Sequence, residues 1–180
     1  IKKTDFSICV APPGFGKTLL GAKIFEIRAC STLIVVNKNM LLNQWIERFV
    51  DYFGYTKKDI GYLGKGHNKL NGSIDVGTMQ SLKNDPDIIN NYSFVIIDEC
   101  HHIPAITFEQ IVKNFKGKYL LGLSATPNRK DELQPILYQQ LGDISYEYKK
   151  KKTHTNKLQI IKTNFESTAD NYATIINELC

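Results

Sequence analysis

No apolar stretch in the chain approaches the ~20 residues that a bilayer-crossing helix requires. Its first residues, Ile1-Lys2-Lys3-Thr4-Asp5, lack the apolar core of a secretory signal. These absences predict a cytoplasmic protein with no membrane partner. Cysteine is sparse: Cys9, Cys30, Cys100 and Cys180 have no paired metal-ligand spacing, which argues for reduced packing thiols and against a zinc site. The run Cys100-His101-His102 does not supply a site either, because three adjacent side chains splay apart. Arginine is limited to Arg28, Arg48 and Arg129, and no internal repeat is visible. The net charge of +5 and the pI near 8.9 permit a polyanionic partner without requiring one. At 180 residues and 42% hydrophobic, the chain can bury one substantial core. It does not begin with Met, and it stops inside the amphipathic pattern Tyr172, Ile175, Ile176 and Leu179, as expected of a piece of a longer protein.

The stretch Ala11-Pro12-Pro13-Gly14-Phe15-Gly16-Lys17-Thr18 reads as a phosphate-binding loop. An apolar run, Phe6 to Val10, supplies the strand before it, and Leu20, Ile24 and Ile27 at helical spacing supply the helix after it. Gly14 and Gly16 let backbone amides curl around phosphate oxygens, and the new helix aims its free amides at the anion. Lys17 is placed to reach the outer phosphates, and Thr18 to hold Mg²⁺. Strict motifs carry Gly where this chain has Ala11. The competing reading is a Gly-rich strand-to-helix turn without a ligand.

Thr32 to Val36 reads as a buried strand, followed by a helix whose face is Leu42, Trp45, Ile46, Phe49 and Phe53, with Gln44, Glu47, Arg48 and Asp51 toward water. Residues 61–73, rich in Gly with Lys65, His67 and Lys69, read as an exposed, basic, mobile loop. Ile74 to Thr78 alternates like a strand, with a short helix from Met79. Phe94 to Ile97 is a continuous apolar run that delivers Asp98 and Glu99 to a sheet edge, a Walker B pattern. Phe108, Ile111, Val112 and Phe115 mark a helix, Tyr119 to Leu123 a strand, Leu133, Ile136, Leu137 and Leu141 a helix, and Asp143 to Tyr148 a last strand. The alternation predicts an α/β fold with a mostly parallel central sheet and helices on both faces. Lys149 to Lys152 reads as a surface linker at the domain's end, giving a domain over 1–150 and, over 151–180, that linker and the start of another.

Ligands of such a sheet sit beyond the carboxyl ends of its strands, where the loop at Gly14, the acids Asp98 and Glu99, and Ser124-Ala125-Thr126 all emerge. Asp98 would position Mg²⁺, and Glu99 would orient and deprotonate the water that attacks the γ-phosphate of ATP.

The segments APPGFGKT, DECH and SAT, in that order, resemble superfamily 2 helicases of the DExH box type. TLIVVNKNMLLNQWIERF, IDVGTMQSL, FVIIDECHHIPA and LLGLSATPNRKDEL are similar to the excision-repair and type III restriction-subunit branch, and the likeness runs from Val10 to Tyr148. It implies a three-layer P-loop NTPase, the first of two RecA-like domains, with ATP and Mg²⁺ as cofactors. Pro13, Gly14, Phe15, Gly16, Lys17 and Thr18 would hold the nucleotide, with Lys17, Asp98 and Glu99 catalytic. His101 would couple the acidic box to Ser124 and Thr126. A strand-contacting surface would include Asn37, Lys38, Arg48, Thr78 and Gln80, with Lys65 and Lys69 beside it. Relatives commonly carry Pro-Thr where Asn37-Lys38 stands. The implied partner is nucleic acid, DNA ahead of RNA. The adenine-recognising segment is expected upstream of Ile1, and the second domain with its arginine finger beyond Cys180. Two rivals remain: a different P-loop NTPase, and a nucleotide-gated module that grips a strand without processive work.

Overall fold

Alternate side chains of the buried strands enter two different cores, and that two-sidedness sets the architecture. The computed structural model describes residues 5–102, 105–113, 115–126 and 134–148, with backbone only at 105 and 134–137. Arg129, Leu133 and the predicted linker and second segment from Lys149 onward lie outside the described residues.

The strands are β1 (Phe6–Val10), β2 (Thr32–Val36), β3 (Gly61–Gly64), β4 (His67–Lys69), β5 (Ile74–Thr78), β6 (Phe94–Ile97), β7 (Tyr119–Ser124) and β8 (Ile144–Glu147). They form one sheet in the order β4-β3-β5-β2-β6-β7-β1-β8, parallel throughout except at the β3–β4 pair. Cys9, Ile34, Val36, Phe94, Ile96, Leu121 and Leu123 turn to one face. There they meet Ala22 and Phe25 of α1 (Lys17–Arg28) and Leu42, Trp45 and Phe49 of α2 (Asn39–Phe53). Ile8, Leu33, Val35, Val95, Ile97 and Leu120 turn to the other face. These pack on α3 (Met79–Leu82), α4 (Ala105–Val112) and α5 (Gln134–Leu141) through Leu82, Phe108, Ile111 and Leu141. The fold is thus α/β with helices on both faces.

Helix α1 sits close to α2 because Gly21 is small: a Cβ there would lie 2.8 Å from the Trp45 ring. Its buried face is Gly21, Ala22, Ile24 and Phe25, so Ile27, expected to be apolar and inward, is 54% exposed. A second correction concerns 61–73. Instead of a mobile loop throughout, residues 61–69 build the β3–β4 hairpin, in which β3 pairs with β5 and β4 forms the sheet's edge, and only 70–73 connect it to β5. Its turn uses positive φ at Lys65 (55°) and Gly66 (77°), the mirror-image turn geometry that suits hairpins. Strand β5 is buried on both faces rather than half-buried. Asp75 in it accepts bonds from Tyr92 Oη (2.7 Å), Asn71 N (2.9 Å) and Gly72 N (2.7 Å), which stand in for water. Phe115 lies past the end of α4, where it packs against the core and the Phe6 ring.

Three neighbouring strands, β6, β7 and β1, bring Asp98-Glu99, Ser124 and the glycine loop to one edge. Sequence order alone does not make these segments neighbours. The register does: β1 and β7 align Val10 with Ser124, and β6 and β7 align Ile97 with Gly122.

Candidate functional site

The loop after β1 needs its glycines for backbone shape. Gly14 and Gly16 hold φ of 78° and 91°, a region that a Cβ penalises, although a Cβ at either would meet no atom within 4 Å. Phe15 N donates to Pro12 O (3.2 Å), and Leu20 N to Gly16 O (2.9 Å) opens α1. Lys17 begins that helix and is buried, with Nζ donating to Ala11 O at 3.1 Å and lying 3.5 Å from Glu99 Oε1.

The two acids differ in kind. Asp98 is 5% exposed; its Oδ2 accepts from the Trp45 indole N–H at 2.8 Å and its Oδ1 from Glu99 N at 3.0 Å. Burial pushes its carboxyl above the ordinary range, and the Glu99 charge adds to the rise, while the Trp45 bond, the Glu99 amide and Lys17 oppose it. Glu99 holds φ of 47°, a left-handed conformation that costs on the order of 1–3 kcal/mol in a non-glycine residue. Its side chain lies beside Lys17, with Oε1 3.5 Å from Nζ. Its Oε2 is buried and accepts no hydrogen bond, with His101 Nδ1 3.4 Å away.

His101 continues the chain of contacts to β7. The Ser124 hydroxyl donates to the Thr126 carbonyl and accepts Thr126 N–H (3.2 Å), which leaves His101 Nδ1 as the donor in the 3.0 Å contact to Ser124 Oγ. The structure therefore brings His101, Ser124 and Thr126 into one network beside Glu99.

A cavity of about 360 Å³ runs past Pro13, Gly14, Gly16, Lys17, Thr18, Asp98 and Glu99. Its oxygen donors, the Thr18 hydroxyl and two carboxylates, are the set a hard divalent cation prefers, and the buried, unpartnered Glu99 Oε2 is an acceptor that a bound water would satisfy. The residues present thus fit both Mg²⁺ and a phosphate chain. Phe15 does not line this cavity; its ring turns toward β8 and lies 4.9 Å from that of Tyr148. Arg48, expected on a strand-contacting surface, does line it, with Leu41, Gln44 and Tyr52 of the same helix.

Of the remaining predicted residues, Asn37, Lys38, Thr78, Gln80 and Lys65 sit on the other half of the same sheet edge, whereas Lys69, opposite Tyr62 on antiparallel β4, lies back from it. Lys38 is exposed at the start of α2, and Gln80 is exposed on α3. Asn37 Oδ1 is buried without a hydrogen-bond partner. Thr78 is 5% exposed and spends its hydroxyl capping α3, by accepting Ser81 N and bonding Ser81 Oγ (2.8 Å). Lys65 Nζ donates to Asn43 Oδ1 (3.1 Å), and Lys69 lies over the Tyr62 ring. Sequence reasoning read Trp45 as core, which it is, and missed its bond to Asp98. Its apolar spacing hid the N–H, and only the rarity of a buried indole without a local acceptor could have flagged it.

Residues 2–129 match the family described as type III restriction enzyme, res subunit. The chain belongs to that family. It is similar to the DNA 3'-5' translocase XPB2 of Sulfurisphaera tokodaii, at 37% identity over 147 residues, 80% of this chain and 32% of that protein. It is also similar to the probable helicase D10 of Escherichia phage T5, at 30% identity over 131 residues, 72% of this chain and 28% of that protein. Among solved structures, the UvsW helicase from Bacteriophage T4 superposes with a TM-score of 0.68 at 22% identity, covering 79% of this chain and 54% of that one, a likeness of fold. The chain therefore spans about a third of the length of these curated relatives. None of its described helices is long and apolar enough to cross a membrane.

Proposed function

We propose that this chain is the ATP-binding motor domain of an ATP-dependent helicase or translocase, acting on DNA ahead of RNA. The observation that carries the reading is the position of Glu99. Its carboxylate stands between Lys17, 3.5 Å from Oε1, and His101, 3.4 Å from Oε2, with Oε2 buried and unbonded. That is where a general base must wait: next to the cation that holds the γ-phosphate and free to accept a proton from water. Lys17 exchanges the carbonyl of Ala11 for phosphate oxygens, and the amides of the loop and of the first turn of α1 bind the rest of the chain. Thr18 and Asp98 would hold Mg²⁺, whose charge would neutralise that of the outer phosphates. Asp98 is held in place by Trp45, and Glu99 is aimed by its left-handed backbone. The His101–Ser124–Thr126 network changes partners as Glu99 gains or loses its contact, which carries the state of the nucleotide to β7.

DNA is favoured because the relative at 37% identity is named a DNA translocase. Lys38, Gln80 and Lys65 offer contacts to phosphate and sugar, which are independent of sequence. A second RecA-like domain and its arginine complete the catalytic site, in keeping with relatives about three times as long. The paired test uses Lys17→Ala and Glu99→Gln. Lys17→Ala is expected to lose ATP binding and hydrolysis, while Glu99→Gln keeps Mg²⁺·ATP binding and stops turnover, with DNA stimulating the parent more than RNA does. Normal turnover in Lys17→Ala, or lost binding in Glu99→Gln, overturns the roles assigned.

A further inference from the structure

Phe15 stands in the middle of the glycine loop, yet its ring does not line the phosphate cavity. It is 40% exposed and lies against the end of β8, with its centroid 4.9 Å from that of Tyr148 and 6.2 Å from that of Tyr146. Backbone bonds hold the loop at its two ends. Ala11 N donates to Ser124 O (2.9 Å) and Tyr148 N to Val10 O (2.9 Å), which fixes the entry, and Leu20 N to Gly16 O (2.9 Å) fixes the exit. Between those points the tip stands clear of the body of the domain, since a Cβ on Gly14 or Gly16 would meet no atom within 4 Å. Glycines are also the residues with the most backbone freedom to lose. Lys17 ties this stretch through Ala11 O (3.1 Å) and Pro12 O (3.5 Å), but it gives those carbonyls up when it turns to a phosphate. The Phe15 contact needs no such exchange. It lies outside the cavity and is compatible with both the empty and the filled site.

We propose that Phe15 is a positioning residue, whose ring, seated on Tyr148 and Tyr146, holds Gly14 and Gly16 in their left-handed conformations before any ligand arrives. The proposal rests on the reading of the loop as a phosphate site. A cradle already in shape binds without the cost of ordering it, and a loop that is competent only part of the time binds more weakly by that fraction. The factor is the same for every ligand that uses the cradle, whatever it carries beyond the phosphates.

The test titrates Mg²⁺·ATP and Mg²⁺·tripolyphosphate, which has the phosphates and no nucleoside, calorimetrically into the 180-residue chain. Phe15→Ala is expected to weaken both by a common factor of roughly five, the worth of one aromatic contact. Tyr148→Ala weakens both as well, and the double variant binds no worse than Phe15→Ala, because the rings act as a unit. Tyr148→Phe keeps a ring against Phe15 and holds the parent affinity. Melting temperatures of the unliganded variants stay near the parent's, since these rings lie at the surface. Weakened ATP with unchanged tripolyphosphate would make the ring a nucleoside contact, and multiplying effects in the double variant would break the link between ring and strand. A lowered melting temperature with both affinities kept would make the contact structural only. Each of these overturns the proposal. Loss of both ligands in Lys17→Ala with parent affinity in Phe15→Ala removes this proposal alone, whereas ligands retained in Lys17→Ala remove the phosphate-loop reading and this proposal with it.

Discussion

Trp45 is the chain's only tryptophan, and its two edges do different work. The ring fills the core between α1 and the sheet at 0% exposure, and the indole N–H holds Asp98 Oδ2 at 2.8 Å. Removing only the N–H, as in Trp45→Phe, leaves a buried carboxylate oxygen without its donor, at a cost of about 1–3 kcal/mol. Bonds that orient a metal ligand are typically worth 10–100-fold in metal affinity. Trp45→Phe is therefore expected to move the Mg²⁺ midpoint for ATP binding upward by about tenfold. A purely structural role would lower the melting temperature and leave that midpoint in place, so the Mg²⁺ titration decides between the two.

Helix α1 illustrates an element whose local preference and packing disagree. In an isolated helix, Gly21→Ala would be favourable by about 1 kcal/mol. In this fold the new Cβ would sit 2.8 Å from Trp45 Cη2 and 3.3 Å from Leu123 Cδ1, both in well-packed surroundings. Overpacking of that kind costs about 1–3 kcal/mol, and displacing the indole would also loosen Asp98. Gly21→Ala is expected to lower stability in chemical denaturation and raise the Mg²⁺ requirement together. A stabilised variant would mean that α1 and α2 do not approach as closely as described.

For the molecule as a whole, the site is one-sided. Lys17 reaches it from the first residue of α1, and the Arg48 guanidinium lies 5.5 Å from the Tyr52 ring centroid toward the far end of α2. Among the described residues, Glu99 makes its ion-pair contacts with Lys17 and His101 and none with an arginine. Where an arginine finger is used, it contributes ~10³ to 10⁵ in rate. ATP turnover by this chain alone is therefore expected to fall short by about 10³ or more of turnover by the same chain extended through a second RecA-like domain. Equal rates in the two would show that Lys17 suffices and that the two-domain proposal is wrong.

Sequence alone determined the parts of this protein whose information is local. The glycine loop is legible because Gly14 and Gly16 must adopt positive φ within a few residues of Lys17, and β2 and β6 are legible because strands covered on both faces read as unbroken apolar runs. Asp98 and Glu99 followed from their place at the end of such a run. Residues 61–73 were opaque because Gly, Lys and Asn describe a turn equally well whether or not a strand waits beside it; β5 is what makes β3 a strand. The Trp45–Asp98 bond joins residues 53 positions apart, and no spacing rule reaches across α2, β5 and β6 to connect them. Arg48 read as a water-facing residue on an amphipathic helix, which it would be if α2 stood alone. Only the tertiary structure, by setting the loop and the first turn of α1 beside that helix, turned its polar stripe into a wall of the cavity that Lys17, Asp98 and Glu99 also line.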